Sequence, residues 1–233
     1  MNFENPLISG LFIKRYKRFF VDVKVKNKII TAHCPNTGSM MGLLNKNNKV
    51  WITEAVNKKR KLKYTLQIIE ENGSKVGVNT HLTNKIVHHA LQKNIIGDFT
   101  KNVKIKSEHV FNENTRFDFF LEDKNSKSFL EVKNVTLKRK SKIAEFPDSV
   151  TSRGTKHLNE LINAKKMGFN AILLFVIQRN DCVKLEIAKD IDPEYSKTLI
   201  KALKNNVKII CYDCKFLTKG IILNNKIKFQ INE

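Results

Sequence analysis

Residues 116–135 read "RFDFFLEDKNSKSFLEVKNV", and this stretch decides the fold because it predicts two strands joined by a short polar loop. Aromatic and branched apolar residues dominate both predicted strands, whereas the connection "EDKNSK" is polar. Glu131 and Lys133 are two residues apart on the second strand and therefore share one face. Pairing of the two strands through the loop brings Asp118, on the first strand, towards Glu131 on that face.

Two carboxylates held close together repel each other unless a cation lies between them. Oxygen ligands of this kind suit Mg²⁺ or Mn²⁺, and the ammonium of Lys133 would orient a water molecule or stabilise developing charge. Asp118, Glu131 and Lys133 form the pattern D-x12-E-x-K, which is the arrangement of the PD-(D/E)xK nucleases. In a lysine-rich chain the same pattern also arises by chance, as a solvated strand face with a cross-strand ion pair. Both interpretations stay open at this point.

The surrounding segments predict a mixed-sheet α/β domain over residues 81–233. The apolar run "NAILLFVIQR" is typical of a central strand covered on both faces, and it ends in the polar pair Gln178-Arg179. The other predicted elements are a helix in "LTNKIVHHALQKN", a helix in "SRGTKHLNELINAKKMG" that ends at Gly168, a strand in "VKLEIA", a helix in "PEYSKTLIKALKNN", and strands in "VKIICYDC" and "GIILNNKIKFQ".

Residues 1–80 predict a small closed barrel of about five strands. "FVDVKVKN" alternates apolar and polar residues from Phe19, as a half-buried strand does. "PLISGLFIKRY", "KIITAHCP", "KVWITEA" and "LKYTLQIIEENG" behave similarly, "SMMGLL" could form one helical turn, and "NGSKVGVNT" leads out of the barrel. The predicted fold class is therefore α+β or α/β, with a small N-terminal OB-like β-barrel followed by a mixed-sheet nuclease-like domain.

Two polar segments are predicted to contact nucleic acid. In "FPDSVTSRGTKHL", Arg153, Lys156 and His157 lie in the first turns of a helix, where the macrodipole disfavours positive charge unless a phosphate binds there. The loop "HCPNTGSMMG" (residues 33–42) is not a catalytic centre, because adjacent His33 and Cys34 point to opposite faces. It reads either as a structural turn or as a phosphate contact. The nucleic-acid contacts assigned to this loop and the preceding basic segment "KRYKRFF" are Asn36, Thr37, Ser39, Arg15 and Arg18.

Charge points to a polyanionic partner. The chain of 233 residues carries 43 lysines and arginines against 22 acidic residues, a net charge of +21. The excess is present in both halves, with 15 basic and 5 acidic residues in 1–80 and 28 and 17 in 81–233. Such a charge favours nucleic acid through counterion release, although a lysine-rich composition alone would also produce it. Four cysteines are too few for a disulfide scaffold, and the N-terminal segment does not read as a signal peptide. We expect a cytoplasmic protein without a membrane segment or an evident small-molecule ligand.

The chain closely resembles the sugar fermentation stimulation protein family. The resemblance runs, in order, through "KRYKRFFVDV", "HCPNTGSMMGL", "RFDFFLE", "FLEVKNVTL", "FPDSVTSRGTKHLNEL", "LLFVIQR" and "IDPEYS". It implies an OB-like domain, a PD-(D/E)xK-like domain, DNA binding, and a regulatory link to sugar-metabolism genes. It also implies a triad of Asp118, Glu131 and Lys133, with Gln178 as accessory and Glu108 as a third carboxylate. The first helix departs from the family by placing His88 and His89 where relatives tend to have acidic residues.

These observations predict a DNA-binding protein with a nuclease-like core and largely sequence-independent binding, since no helix-turn-helix is evident. One alternative is an active Mg²⁺-dependent nuclease acting on DNA or branched nucleic acid. Another is an RNA-binding or RNA-processing factor, because charge and an OB-like barrel serve either nucleic acid.

Overall fold

The structure is a computed structural model that describes residues 1–99 and 103–231, and its first part is a closed β-barrel. The strands are β1 (Ile8–Tyr16), β2 (Phe20–Val25), β3 (Lys28–His33), β4 (Lys49–Glu54), β5 (Tyr64–Glu71) and β6 (Ser74–Gly77). Their order is β3-β2-β1-β4-β5-β6, and a parallel contact between His33 and Thr65 joins β3 to β5 and closes the barrel. The predicted OB-like barrel is confirmed.

Two details of the barrel differ from the sequence prediction. The exit segment contains the sixth strand, which pairs with β5 through a two-residue turn at Asn72 and Gly73, both with positive φ. An Asn-Gly pair of this kind is a strong hairpin signal. The segment "SMMGLL" forms a turn and no helix, because Met40 (φ 54°) and Gly42 (φ 82°) lie in the left-handed region.

The second part of the chain is a three-layer α/β domain. Its helices are α1 (Thr83–Gln92), α2 (Ser152–Lys166) and α3 (Pro193–Lys204). Its strands are β7 (Lys104–Asn112), β8 (Thr115–Glu122), β9 (Lys127–Val135), β10 (Leu137–Lys140), β11 (Ile143–Phe146), β12 (Asn170–Ile177), β13 (Lys184–Ile187), β14 (Lys208–Phe216), β15 (Ile221–Lys226) and β16 (Lys228–Gln230). The main sheet has the order β15-β14-β12-β9-β8-β7, and a smaller sheet has the order β10-β11-β13-β16.

The mixed sheet predicted from sequence is confirmed, since β9, β12 and β14 run parallel while β7, β8 and β15 pair antiparallel. Sequence reasoning missed β7, β10 and β11. Strand β7 lies at the sheet edge and carries several exposed charged residues, such as Lys104 and Lys106, which blunt an edge but hide the strand pattern.

Apolar side chains pack on both faces of the main sheet. On one face α1 contributes Ile86, Val87, Ala90 and Leu91, which pack with Leu130, Val132 and Leu174. On the other face α2 and α3 pack with Phe117, Phe129, Val135 and Phe175. Because Glu131 and Lys133 alternate with Leu130 and Val132 on β9, they point towards α2. The main sheet thereby places Glu131 and Lys133 of the predicted triad beneath the N-terminal half of α2.

The ends of α2 and α3 follow the sequence signals closely. Thr151 caps α2 by accepting a hydrogen bond from the Gly154 N–H, and Gly168 follows the helix with φ 90°. Asp192 caps α3 by accepting from the Tyr195 N–H, with Pro193 at the first helical position. No helix in the described ranges is long and apolar enough to cross a membrane.

A buried ionic cluster joins the barrel to the second domain. Arg179, which is 1% exposed and follows β12, contacts Glu71 of the barrel (2.7 Å) and Asp181 (2.6 Å). Lys138 contacts the same two carboxylates at 3.3 and 2.6 Å. Although burial raises the pKa of Asp181, the hydrogen bonds from Arg179 and Lys138 outweigh it and hold that pKa well below its ordinary value. The Gly77 N–H also donates to the Gln178 carbonyl (2.8 Å), which fixes the two domains against each other.

We expect Arg179→Met to lower the free energy of unfolding by about 3 kcal/mol, because it leaves the half-buried carboxylates of Glu71 and Asp181 with Lys138 alone. Urea denaturation measures the loss. The matched control is Lys127→Met, which removes an exposed ion pair with Glu122 (3.4 Å) and should cost less than about 1 kcal/mol. Equal losses for the two variants would contradict a structural role for the cluster.

Candidate metal centre and nucleic-acid interface

The carboxylate of Asp118 replaces a main-chain acceptor at the point where regular pairing between β8 and β9 ends. Paired residues run from Glu122–Lys127 to Phe119–Leu130. Beyond them, Asp118 Oδ2 accepts a hydrogen bond from the Val132 N–H (2.7 Å). Asp118 Oδ1 accepts from the Asn84 side-chain amide of α1 (2.7 Å). The carboxylate is therefore held between two layers of the domain by one donor from each.

Glu131 is buried beside this carboxylate and uses only one of its oxygens. Its Oε1 contacts the Lys133 ammonium (2.7 Å) and His157 Nδ1 of α2. Its Oε2 is buried and has no hydrogen-bond partner in the part of the chain that the structure describes. A buried carboxylate oxygen without a partner is costly, and a bound cation would satisfy it.

The two carboxylates have opposite pKa shifts. Burial, followed by the nearby charge of Glu131, raises the pKa of Asp118 to about 6. Burial also raises the pKa of Glu131, but the Lys133 charge and the bond with His157 outweigh it and lower that pKa below its ordinary value. Glu131 therefore ionises more readily than Asp118, and Asp118 carries the cost of a second buried negative charge.

The donor set fits a hard divalent cation that keeps part of its water shell. Asp118 and Glu131 supply carboxylate oxygens, and Oε2 of Glu131 is not engaged by a hydrogen bond from the described residues. Within residues 1–99 and 103–231, no group of three His, Cys, Asp or Glu side chains is close enough to hold a metal ion. The protein thus supplies two carboxylates, and water or a phosphate oxygen would complete the coordination, as is usual for Mg²⁺.

A cleft of about 440 Å³ opens next to Asp118, and its walls carry both acidic and basic side chains. Its lining includes Glu108, Glu113, Arg116, Asp118, Arg153, Lys156 and His157. Glu108, predicted as a third carboxylate, lies in this cleft with φ 52°. Its side chain is 59% exposed and is 3.9 Å from Arg116. Among the described residues it does not form a group of three potential metal ligands with Asp118 and Glu131.

The structure separates the three predicted phosphate contacts of α2. Arg153 and Lys156 are exposed at the cleft, and Lys156 donates to the Asn114 carbonyl (2.8 Å). His157 is buried and bonded to Glu131, so it belongs with the carboxylates and not with the exposed basic groups. Gln178 does not line the cleft. It donates to Thr83 and Asn134 at the domain junction.

The loop at residues 33–42 is held by the protein itself. The Arg15 guanidinium donates to the carbonyls of Asn36 (2.7 Å), Gly38 (3.0 Å) and Arg18 (2.8 Å). Asp148, in the second domain, accepts from the Met40 N–H (3.3 Å), and a Cβ added at Gly38 would lie 2.3 Å from its carboxylate. Arg15 and the buried Asn36 therefore stabilise the conformation of the loop.

Three predicted nucleic-acid contacts of this region remain exposed: Arg18, Thr37 and Ser39. Thr37 shares a groove of about 340 Å³ with Arg153, which also lines the Asp118 cleft. The predicted contacts of the loop and of α2 are thus continuous along one side of the molecule.

Two family models match successive parts of the chain. The SfsA N-terminal OB domain matches residues 13–78, and the sugar fermentation stimulation protein RE domain matches residues 81–220. The chain belongs to the sugar fermentation stimulation protein family. The predicted family and the predicted succession of an OB-like barrel and a mixed-sheet domain are both confirmed.

Relatives in this family align over almost the whole chain. A sugar fermentation stimulation protein homolog of Pelagibacter ubique (strain HTCC1062) is 51% identical over 228 residues, which cover 98% of each chain. A homolog of Maricaulis maris (strain MCS10) is 39% identical over the full length of both chains. The structure of Pyrococcus furiosus SfsA in complex with Ca²⁺ is similar with a TM-score of 0.90 and 26% identity, covering 99% of this chain and 98% of that one.

Sequence reasoning missed Asn84 as a partner of Asp118. His88 and His89, where the chain departs from the family, lie one turn after the residue of α1 that contacts Asp118. His88 stacks against Phe119 (6.2 Å between ring centroids), while Asn84, one turn earlier, reaches Asp118. The sequence did contain a signal for Asn84. It lies four residues before His88 and therefore on the same side of α1.

We expect the raised pKa of Asp118 to make the metal-free protein less stable as pH rises. The folded carboxyl binds its proton up to about pH 6, whereas the unfolded one releases it near its ordinary value. The stabilisation from this group is therefore fully present below the unfolded pKa and is lost as pH rises through about 6. Relative to Asp118→Asn, the free energy of unfolding of the wild type should fall by about 1 kcal/mol between about pH 5 and about pH 7.5.

Urea denaturation of both proteins in EDTA at the two pH values measures this difference. The comparison cancels the titration of all other groups. Parallel stability curves for the two proteins would show that the Asp118 pKa is not raised.

Proposed function

We propose that this protein binds DNA through its phosphate backbone and cleaves phosphodiester bonds with a divalent cation held by Asp118 and Glu131. The observation that carries the proposal is the buried, unpartnered Oε2 of Glu131 beside a second carboxylate whose pKa is raised to about 6. Both features are the signature of a site in which positive charge is missing.

Each side chain of the pair has a role that follows from its contacts. Asp118 and Glu131 would hold the cation, which when bound polarises a phosphate and lowers the pKa of a water molecule. Val132 and Asn84 fix the Asp118 carboxylate, and His157 fixes Glu131. Lys133 keeps its ammonium 2.7 Å from Glu131, where it can hold a proton-bearing nucleophile or a phosphate oxygen.

DNA binding is supported by the charge and by its position. The net charge is +21, and exposed Arg153 and Lys156 flank the Asp118 cleft. Contacts of this type go to phosphates and carry little sequence information. The Ca²⁺ complex of the Pyrococcus furiosus relative supports a divalent cation in this fold, and the choice of Mg²⁺ or Mn²⁺ here is part of the proposal.

A second function, DNA binding without cleavage, is favoured by one observation. Asn84 places a neutral amide against Asp118, and the described protein supplies only two carboxylates to the site. Fewer acidic ligands weaken Mg²⁺ binding. In this case the nuclease-like core serves as a binding scaffold, consistent with the regulatory role that the family resemblance implies.

We expect Mn²⁺ or Ca²⁺ to raise the Tm of the wild type by about 5 °C at saturating concentration, because the cation binds only the folded site. Asp118→Asn and Glu131→Gln should abolish this rise. Glu113→Gln, an exposed acid of the same cleft, is the matched control and should keep it. A shift retained by both site variants would place the cation elsewhere.

The same proteins separate cleavage from binding. With labelled single-stranded, duplex and flapped DNA and Mg²⁺ or Mn²⁺, the two site variants should cleave on the order of 100-fold more slowly than wild type. A wild type that gains stability from the metal but cleaves no faster than its variants would support the scaffold function instead.

We expect binding to weaken steeply with salt, and Arg153→Ala and Lys156→Ala each to reduce the slope of log K against log[salt] by about one. Fluorescence anisotropy with labelled DNA measures the slope. Lys197→Ala, an exposed lysine of α3, is the charge-matched control and should leave the slope unchanged. An affinity indifferent to salt would contradict phosphate-led binding, and tighter binding to matched RNA would favour an RNA-directed function.

A further inference from the structure

A second cavity, of about 520 Å³, lies where the barrel meets α1 and the N-terminal segment, and we call it the junction pocket. The residues that matter for its chemistry are His33, Thr53, Arg60, Gln67, Asn79 and His81. None of these residues lines the cleft beside Asp118. The junction pocket is therefore a site separate from the candidate metal centre.

One wall of the pocket is a ladder of buried polar side chains. The Gln67 side-chain amide donates to the Thr53 hydroxyl (2.8 Å), and the Asn79 side-chain amide donates to Oε1 of Gln67 (2.8 Å). Oδ1 of Asn79 accepts from the main-chain N–H of His81 (3.1 Å). Thr53, Gln67 and Asn79 are all less than 8% exposed. Each amide group carries a second N–H that this ladder does not use. Oriented amides of this kind can read the edge of a nucleobase.

Three aromatic rings form a row that leads into the pocket, where His33 and His81 belong to the lining and Phe19 lies beyond it. Phe19 and His33 lie 6.4 Å apart between ring centroids at 16°, and His33 and His81 lie 6.4 Å apart at 41°. Phe19 and His81 are exposed, so the ends of the row are accessible. Burial, followed by Arg60 and His81, lowers the pKa of His33 below its ordinary value. The His33 ring is therefore neutral at neutral pH and offers a π-face for stacking.

The rim of the pocket is strongly basic. The β4–β5 connection reads "AVNKKRKLK" over residues 55–63, and Arg60 from this loop enters the pocket lining and donates to the Thr65 hydroxyl (3.2 Å). Lys58, Lys59, Lys61 and Lys63 are exposed and form no salt bridge with a carboxylate in the described ranges. The lining contains two acidic residues, Glu4, which is paired with Lys85 (2.9 Å), and the exposed Glu54. The four exposed lysines of the loop therefore outnumber the unpaired acid of the lining.

We propose that the junction pocket binds one unpaired nucleotide of a single-stranded nucleic acid. The base stacks on the His33–His81 row and bonds to the Gln67 and Asn79 amides, its phosphate contacts Arg60, and neighbouring phosphates follow the basic loop at residues 58–63. The proposal specifies that the bound nucleic acid is single-stranded. It rests on the proposed nucleic-acid binding but not on metal binding by Asp118 and Glu131. A free nucleotide offers the same base and phosphate, but it lacks the neighbouring phosphates that the loop would contact.

Affinity measurements with end-labelled probes test this assignment. For a single-stranded DNA of about 12 nucleotides, His81→Ala and Arg60→Ala should each weaken binding about tenfold. Lys28→Ala, an exposed lysine at the start of β3, is the matched barrel control and should change affinity less than twofold. A blunt duplex of the same length and labelled dAMP should both bind more weakly than the single strand. Pocket variants that bind the single strand like wild type, or dAMP binding as tight as strand binding, would overturn the proposal.

Photo-cross-linking of the wild type provides a test that needs no variant. A single strand carrying 5-iodouracil is irradiated with the protein, and cross-linked peptides are mapped by mass spectrometry. Cross-links at Phe19, His33 or His81 support the pocket, whereas cross-links confined to residues 151–157 overturn it. If the wild type binds no nucleic acid at all, the proposed function fails together with this inference. Binding that is unaffected by the pocket variants refutes the inference alone.

Discussion

Between β8 and β9, the side-chain carboxylate of Asp118 accepts a hydrogen bond that a main-chain carbonyl would accept in a regular ladder. The candidate site depends on this one hydrogen bond. The Val132 N–H would otherwise bond to a carbonyl of β8, and the two strands would continue as an ordinary ladder. With the side chain in that place, regular pairing ends at Phe119 and Leu130. Asp118 is then fixed beside Glu131 at the edge of a cleft, and both carboxylates lie in a low-dielectric layer between the sheet and its helices.

Burying two carboxylates together is electrostatically unfavourable, and the surrounding protein offsets only part of the cost. Lys133 and His157 both contact one oxygen of Glu131, which leaves the other oxygen without a partner and Asp118 with a raised pKa. If the carboxylates were structural, a full set of hydrogen bonds would be the expected solution. The incomplete set is better explained by a ligand of positive charge.

The fixed contact between the domains gives the molecule two separate polar sites. Arg179 and Lys138 bind Glu71 and Asp181, and this buried cluster holds the barrel against the sheet of the second domain. On one side of the contact, the Arg15-supported loop and α2 border a groove that shares Arg153 with the Asp118 cleft. On the other, the barrel, the N-terminal segment and α1 enclose the junction pocket. A single strand that followed the basic loop at residues 58–63 would meet residues of both domains in that pocket.

The sequence by itself determined the elements whose signals are local. The periodicity of α1, the Thr151 and Asp192 caps, the apolar run of β12 and the D-x12-E-x-K spacing all depend on residues close together in the chain. Short or charged strands such as β6, β7, β10 and β11 were missed, because the partner strand and not their own pattern stabilises them. Only the tertiary structure decided that Asn84 reaches Asp118, that His157 is buried on Glu131, that Arg15 serves the loop, and that Gln178 turns to the domain junction. These contacts join residues that are 34, 26, 21 and 95 positions apart in the chain. Such pairs are set by how layers and domains pack, and no local sequence pattern encodes that packing.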